Sequence, residues 1–214
     1  MKIEVSNVSR KLGNEEVLKN INLELEPGKI YGFIGRNGSG KTMLFRTICG
    51  FLKPDTGYVK VDGRDLYKNN EFPKDTAALL EKPNYISDLT GFENLKLLSK
   101  IKNIINDDQI METLKLVNLE NEADKKFKKY SLGMKQKLGI AGVLMEDPKI
   151  MILDEPFNGL DDESAEKIRK ILLKEKEKGK LILIATHIKE DIEILGDVIY
   201  KMDKGVIKNK DEKR

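Results

Sequence analysis

The sequence has no tryptophan, one cysteine, one histidine and no apolar run longer than a β-strand. The missing tryptophan excludes nothing about function, but the other scarcities do. A lone thiol, Cys49, cannot form an internal disulfide and fits a reducing cytosol; it reads as a buried structural thiol rather than a reactive one. The longest apolar stretches, residues 150–153 and 181–185, are strand-sized, so no membrane span is expected and any membrane role must come through a partner. Met1-Lys2-Ile3-Glu4 offers no apolar core of the kind a secretion signal needs. An excess of one charge is also missing: 39 basic against 36 acidic residues give a net +3, too little for a global electrostatic case for nucleic acid. No internal repeat or low-complexity linker divides the chain. With 214 residues, 39% of them hydrophobic and 35% charged, it can bury a substantial core and reads as a single α/β domain spanning 1–214.

What is present begins with Gly35-Arg36-Asn37-Gly38-Ser39-Gly40-Lys41-Thr42, set between an apolar run at residues 30–34 and a helical stretch. Glycines at 35, 38 and 40 let the backbone turn tightly, so that successive N–H groups can face phosphate oxygens at a helix N-terminus. Lys41 can then reach the β- and γ-phosphates, and Thr42 offers a hydroxyl to Mg²⁺. The pattern points to a P-loop fold and a nucleotide, although kinases, GTPases and many ATPases share it.

Period-two alternation at Ile3/Val5, Leu23/Leu25 and Val59/Val61 predicts an antiparallel sheet in the N-terminal part. From residue 88 the spacing turns helical, with Leu95 and Leu98 on one face and Ile110, Leu114 and Val117 on another, predicting a helical insert over about 88–145. The last third returns to a βαβ pattern: a strand at 150–153, a helix over 164–178, a strand at 181–186 and a helix from Lys189 to about Leu195. A mostly parallel sheet with covering helices follows. The cluster Lys125-Lys126-Phe127-Lys128-Lys129 reads as a solvated helix end, and the charged tail at 208–214 as disordered.

Two further features sit where parallel strands end, the usual place for a ligand crevice. The strand Ile150-Met151-Ile152-Leu153 runs into Asp154-Glu155: Asp154 is placed to hold Mg²⁺ and Glu155 to act on the attacking water as general base. An acidic pair can merely open a loop before Pro156, but four apolar residues leading into it, in a chain with a phosphate loop, favour the functional reading. The single histidine, His187, follows the strand ending at Thr186 and reads as a γ-phosphate contact working with Glu155.

In this order the motifs resemble those of the ATP-binding cassette (ABC) ATPases, across nearly the whole chain. The family's signature peptide, which binds the γ-phosphate of ATP held by the opposite subunit, is matched by Tyr130-Ser131-Leu132-Gly133-Met134-Lys135-Gln136, with Ser131 and Gly133 at the positions that agree. Its D-loop is matched by Asn158-Gly159-Leu160-Asp161 and its switch histidine by His187. Leu12 stands where the family usually stacks adenine on an aromatic ring, which predicts weak base discrimination. Glu81, in Leu80-Glu81-Lys82-Pro83-Asn84, stands for the glutamine that senses Mg²⁺ and touches the membrane partner. Both Glu81 and the variant signature are similar to the bacitracin- and lantibiotic-exporter branch.

The resemblance implies an ATP- and Mg²⁺-dependent ATPase that dimerises on ATP, as a homodimer or with a similar chain. It further implies integral-membrane permease subunits docking near residues 83–94, a role in export, and a cytoplasmic location at the inner face of the membrane through the permease. The alternative, a soluble ABC-type ATPase acting on nucleic acid or the ribosome, is disfavoured. Such translation factors resemble two joined cassettes, repair relatives carry a long coiled coil, and this chain has neither.

Overall fold

The computed structural model describes residues 1–68 and 70–212. Strands β1 (Ile3–Leu12) and β2 (Glu15–Leu25) form a long antiparallel hairpin. After β3 (Ile30–Ile34) and helix α1 (Lys41–Ile48), β4 (Thr56–Val61) and the short β5 (Arg64–Asp65) complete a sheet ordered β2-β1-β4-β5. This is the antiparallel sheet that alternation predicts.

The second sheet holds six strands in the order β10-β9-β3-β8-β7-β6, adding β6 (Thr76–Leu79), β7 (Ile150–Asp154), β8 (Leu181–Thr186), β9 (Val198–Asp203) and β10 (Val206–Glu212). All neighbouring pairs are parallel except β10 with β9. β7 and β8 are buried throughout, which is why they read as unbroken apolar runs. Alternate residues face opposite layers: Ile150 and Ile152 pack with α1 and the antiparallel sheet, while Met151 and Leu153 pack with the helices. β6 is not predicted by the sequence; Thr-Ala-Ala-Leu has little strand character, and pairing with β7 supplies the register.

Between β6 and β7 lie α2 (Gly91–Ser99), α3 (Asp107–Leu116) and α4 (Leu132–Leu144). Capping boxes at Thr90/Glu93 and Asn106/Gln109 start α2 and α3, and Leu95, Ile110, Leu114 and Val117 are buried as their spacing requires. The lysine cluster corrects one expectation. It is a single 3-10 turn, Phe127–Lys129, rather than a helix end, because Phe127 is buried against Tyr85 and Tyr130.

Helix α5 (Asp162–Glu177) begins two residues before the expected start, since Asp161 caps it by accepting from the Ser164 N–H at 2.7 Å. Helix α6 (Lys189–Leu195) follows β8. The expected disorder of residues 208–214 is overturned for 208–212, which extend β10 along β9; residues 213 and 214 lie outside the described residues. The β9 ladder supplies the order that composition does not, helped by the Lys201–Asp211 pair at 2.8 Å. No helix among the described residues is long and apolar enough to cross a membrane.

Candidate functional site

Four parallel strands deliver their carboxyl ends to one edge of the sheet, and nearly every candidate residue arrives there by that route. β3 leads to the cradle, β7 to Asp154 and Glu155, β8 to Thr186 and His187, and β6 to Glu81. The cleft between them and the antiparallel sheet has a volume of about 640 Å³. Leu12, residues 37–42, Glu81, Asp154 and Glu155 line it.

The cradle requires its glycines. Gly38 and Gly40 have φ of 79° and 104°, conformations that carry a steric cost for residues with a Cβ. A Cβ on Gly35 would meet the Met202 carbonyl at 2.4 Å and one on Gly40 the Val17 carbonyl at 2.8 Å. The Ser39 hydroxyl is buried without a hydrogen-bond partner, an orphan of the kind a bound phosphate satisfies. Lys41 is buried, its Nζ donating to the carbonyls of Gly35 at 2.7 Å and Arg36 at 3.3 Å. Burial lowers its pKa, opposed by the charges of Glu155 and Asp154.

Thr42 Oγ1 donates to Asp154 Oδ2 at 2.5 Å. Burial raises the Asp154 carboxyl above its ordinary range; the Thr42 hydrogen bond opposes the rise, and the charges of Glu155 and Glu81 add to it. A hydroxyl and a carboxylate joined at the mouth of a phosphate cradle are hard oxygen donors suited to Mg²⁺, which keeps few protein ligands and fills its remaining positions with phosphate and water. The residues present therefore fit that ion. Glu81 lines the same cleft but is paired with Arg46, whose Nη2 donates to its Oε1 at 2.7 Å, with both side chains exposed.

Glu155 adopts φ 51°, a left-handed turn directly after β7. Its Oε2 accepts from Thr186 Oγ1 at 3.1 Å and lies 2.9 Å from His187 Nδ1. A residue that sequence reasoning missed supports the same turn: buried Gln136 donates through Nε2 to the backbone carbonyls of Glu155 at 3.0 Å and Pro156 at 3.1 Å. Its only sequence signal is its place at the end of the Tyr130–Gln136 peptide. His187 lines a neighbouring surface cleft with Gly35 and Arg36, which adjoins the nucleotide cleft at Asn37.

Three expected site residues line neither of these clefts. Ser131 caps α4, accepting from the Met134 N–H at 3.2 Å. Gly133 packs on the 158–161 loop, where a Cβ would meet the Gly159 carbonyl at 2.8 Å. Asp161 is occupied as the cap of α5, and that hydrogen bond holds its carboxyl below its ordinary pKa.

A cradle, an acidic strand end and a histidine in register leave a nucleotide-hydrolysing machine as the chemistry on offer. Residues 18–158 match the ABC transporter family. The chain belongs to that family. The ABC ATPase is 43% identical over 203 residues to the ABC transporter ATP-binding protein YybJ of Bacillus subtilis, covering 95% of this chain and 93% of that one. It is 40% identical to the bacitracin transport ATP-binding protein BcrA of Enterococcus faecalis, over 95% of this chain and 67% of the relative. Against the lantibiotic transport ATP-binding protein SrtF of Streptococcus pyogenes the identity is 32%, over 92% and 85%.

Among solved structures, the ATP-binding subunit of an ABC transporter superposes with a TM-score of 0.90 at 27% identity, covering 99% of this chain and 90% of that one. An ATP-binding cassette solved as a dimer in a post-hydrolysis state with ADP and Pi gives 0.88 at 27% identity, with 99% of each chain covered. This ABC ATPase is thus an ATP-binding subunit of the ABC transporter class, with the mixed α/β fold of its relatives.

Proposed function

We propose that the chain is one ABC ATPase domain, with a helical subdomain inserted at about 88–145, that powers a separate membrane permease by ATP-driven dimerisation. The observation that carries this reading is the separation of its own site into two surfaces. Lys41, Thr42, Asp154 and Glu155 share one cleft, whereas Ser131, Gly133 and Asp161 stand outside it. A second copy, or a similar chain, presenting those three residues completes the site, and the dimeric state of the relative bound to ADP and Pi supports this reading.

Within each cleft the backbone of residues 35–42 and Lys41 grip the phosphates, and Leu12 lies beside the base at the cleft's outer wall. Thr42 and Asp154 are the residues that hold Mg²⁺, with Glu81 near enough to influence it; the ion neutralises phosphate charge when bound. Glu155 accepts a proton from the attacking water. His187, against the same carboxylate, fixes its orientation and contacts the γ-phosphate. Opening and closing of the dimer would pass to the permease through residues 83–94. Buried Asn94 organises that loop, bonding Ile86 on both its N–H and its carbonyl, and Ile86 remains exposed. The similarity to bacitracin and lantibiotic transport proteins favours export, with the chain on the cytoplasmic face of the membrane.

Complementation tests the shared site. Lys41→Ala and Gly133→Val chains should each be inactive alone, while their mixture regains ATP turnover because the mixed dimer holds one intact composite site. A mixture as inactive as its parents would overturn the two-chain site.

A further inference from the structure

Arg169 stands outside the nucleotide cleft. It lies on α5, yet it touches the segments that follow both proposed hydrolytic residues. Its guanidinium carbon sits 5.4 Å from the centre of the Phe157 ring, two residues beyond Glu155. Its Nη2 donates to Oδ1 of Asp191, four residues beyond His187 in the first turn of α6. Asp191 is nearly inaccessible, with 4% of its side chain exposed against 18% for Arg169. A carboxylate so buried has no solvent to fall back on, so losing its cation is costly and the pair fixes where α6 begins. Phe157 is buried too, and a guanidinium over its face gains a cation–π contact that lysine cannot reproduce with the same planarity.

These contacts close a ring through space: Glu155 to Phe157 along the chain, Phe157 to Arg169, Arg169 to Asp191, Asp191 back to His187, and His187 to Glu155 at 2.9 Å. The His187 side chain is half exposed and only weakly confined by its own surroundings. Its position follows from the backbone between β8 and α6, anchored by Ile192 against Gly32 on one side and by Asp191 on Arg169 on the other.

We infer that Arg169 is a positioning residue for hydrolysis, holding the His187 segment and the Glu155 turn at one fixed separation. This rests on the reading of Glu155 and His187 as the hydrolytic pair. Arg169 touches neither nucleotide nor water; its effect on turnover passes through the geometry of that pair.

The test uses the full chain and compares wild type with Arg169→Met, Arg169→Lys, Asp191→Asn, His187→Ala and the double variant Arg169→Met/His187→Ala. Turnover, KM, ATP affinity by direct titration and melting temperature are measured for each. Arg169→Met and Asp191→Asn should lower kcat roughly tenfold, the scale of a small misplacement of a catalytic group, with KM and ATP affinity changed less than about twofold. Arg169→Lys should recover part of kcat. The double variant should turn over no more slowly than His187→Ala alone, because the positioned group is already gone. A wild-type kcat in Arg169→Met would overturn the inference, as would a double variant showing the full product of the two single losses. Should Arg169→Met prove unstable, the kcat/KM split in Asp191→Asn decides alone: equal losses of kcat and ATP affinity count against positioning. A wild-type rate in His187→Ala would instead remove the parent reading, and the inference with it.

Discussion

His187 Nδ1 stands 2.9 Å from the same Glu155 oxygen that accepts the Thr186 hydroxyl. Both contacts fall on Oε2, so Oε1 is the oxygen left to face a water. Glu155→Gln keeps the shape of this arrangement but removes the base. Its turnover should fall about 10²–10⁴-fold, while ATP binding persists and an ATP-dependent dimer accumulates on size-exclusion chromatography. His187→Ala should cost roughly 10² in turnover, as for one preorganised donor. Unchanged rates would remove these residues from their proposed roles.

Glu81 and Arg46 form an exposed pair, so Glu81→Gln should change folding stability by less than about 1 kcal/mol. Its electrostatic effect reaches further, since the Glu81 charge contributes to the raised Asp154 carboxyl. The variant should therefore bind ATP roughly two- to fivefold more tightly at low ionic strength, with the gain fading as salt screens the site. Titrations at two salt concentrations check this, and a gain that ignores salt would contradict the electrostatic origin.

Leu12 is 41% exposed at the edge of the nucleotide cleft. Replacing it with tyrosine offers a stacking face worth about 0.5–1.5 kcal/mol, or roughly two- to twelvefold in ATP affinity. Competition between ATP and CTP should sharpen in parallel. Equal affinities in wild type and Leu12→Tyr would place the base elsewhere.

Cys49 is buried, and burial pushes its thiol from an ordinary value of 9.0 up to about 12. The native thiol should therefore resist alkylation at pH 8, and labelling should follow global unfolding in denaturant. Below the ordinary value both states are protonated and the group adds no pH dependence. Between there and the folded value only the unfolded chain ionises, so stability falls as pH rises, by up to about 1.4 kcal/mol per pH unit from this group. Fast labelling of the folded chain would show the thiol to be accessible.

The elements that were legible are those whose burial writes a period into the sequence. β7 and β8 are covered on both faces and carry unbroken apolar runs, and α3 carries Ile110, Leu114 and Val117 on its packed side. β6 and β10 were not legible, since their order comes from neighbouring ladders rather than from their own side chains. Within the site, the glycines and Lys41-Thr42 announce themselves because a phosphate cradle needs those residue types in that order. Gln136 and Arg169 do not, because an amide or guanidinium acting on distant backbone or carboxylate has no local signature.

The sequence alone determined the class of the chain: a glycine-rich phosphate-loop pattern, an apolar strand ending in two carboxylates and a lone histidine after a second strand, in the order of an ABC ATPase. Those features are local, set by backbone freedom and residue type over a few positions. Only the tertiary structure decided which of them meet. Parallel strands with a common direction bring Thr42 to Asp154 and Glu155 to His187 across 112 and 32 positions of sequence respectively, and they leave Ser131, Gly133 and Asp161 outside the cleft. That division arises from topology, because strand carboxyl ends converge on one edge while Ser131 and Asp161 are taken up as the caps of α4 and α5.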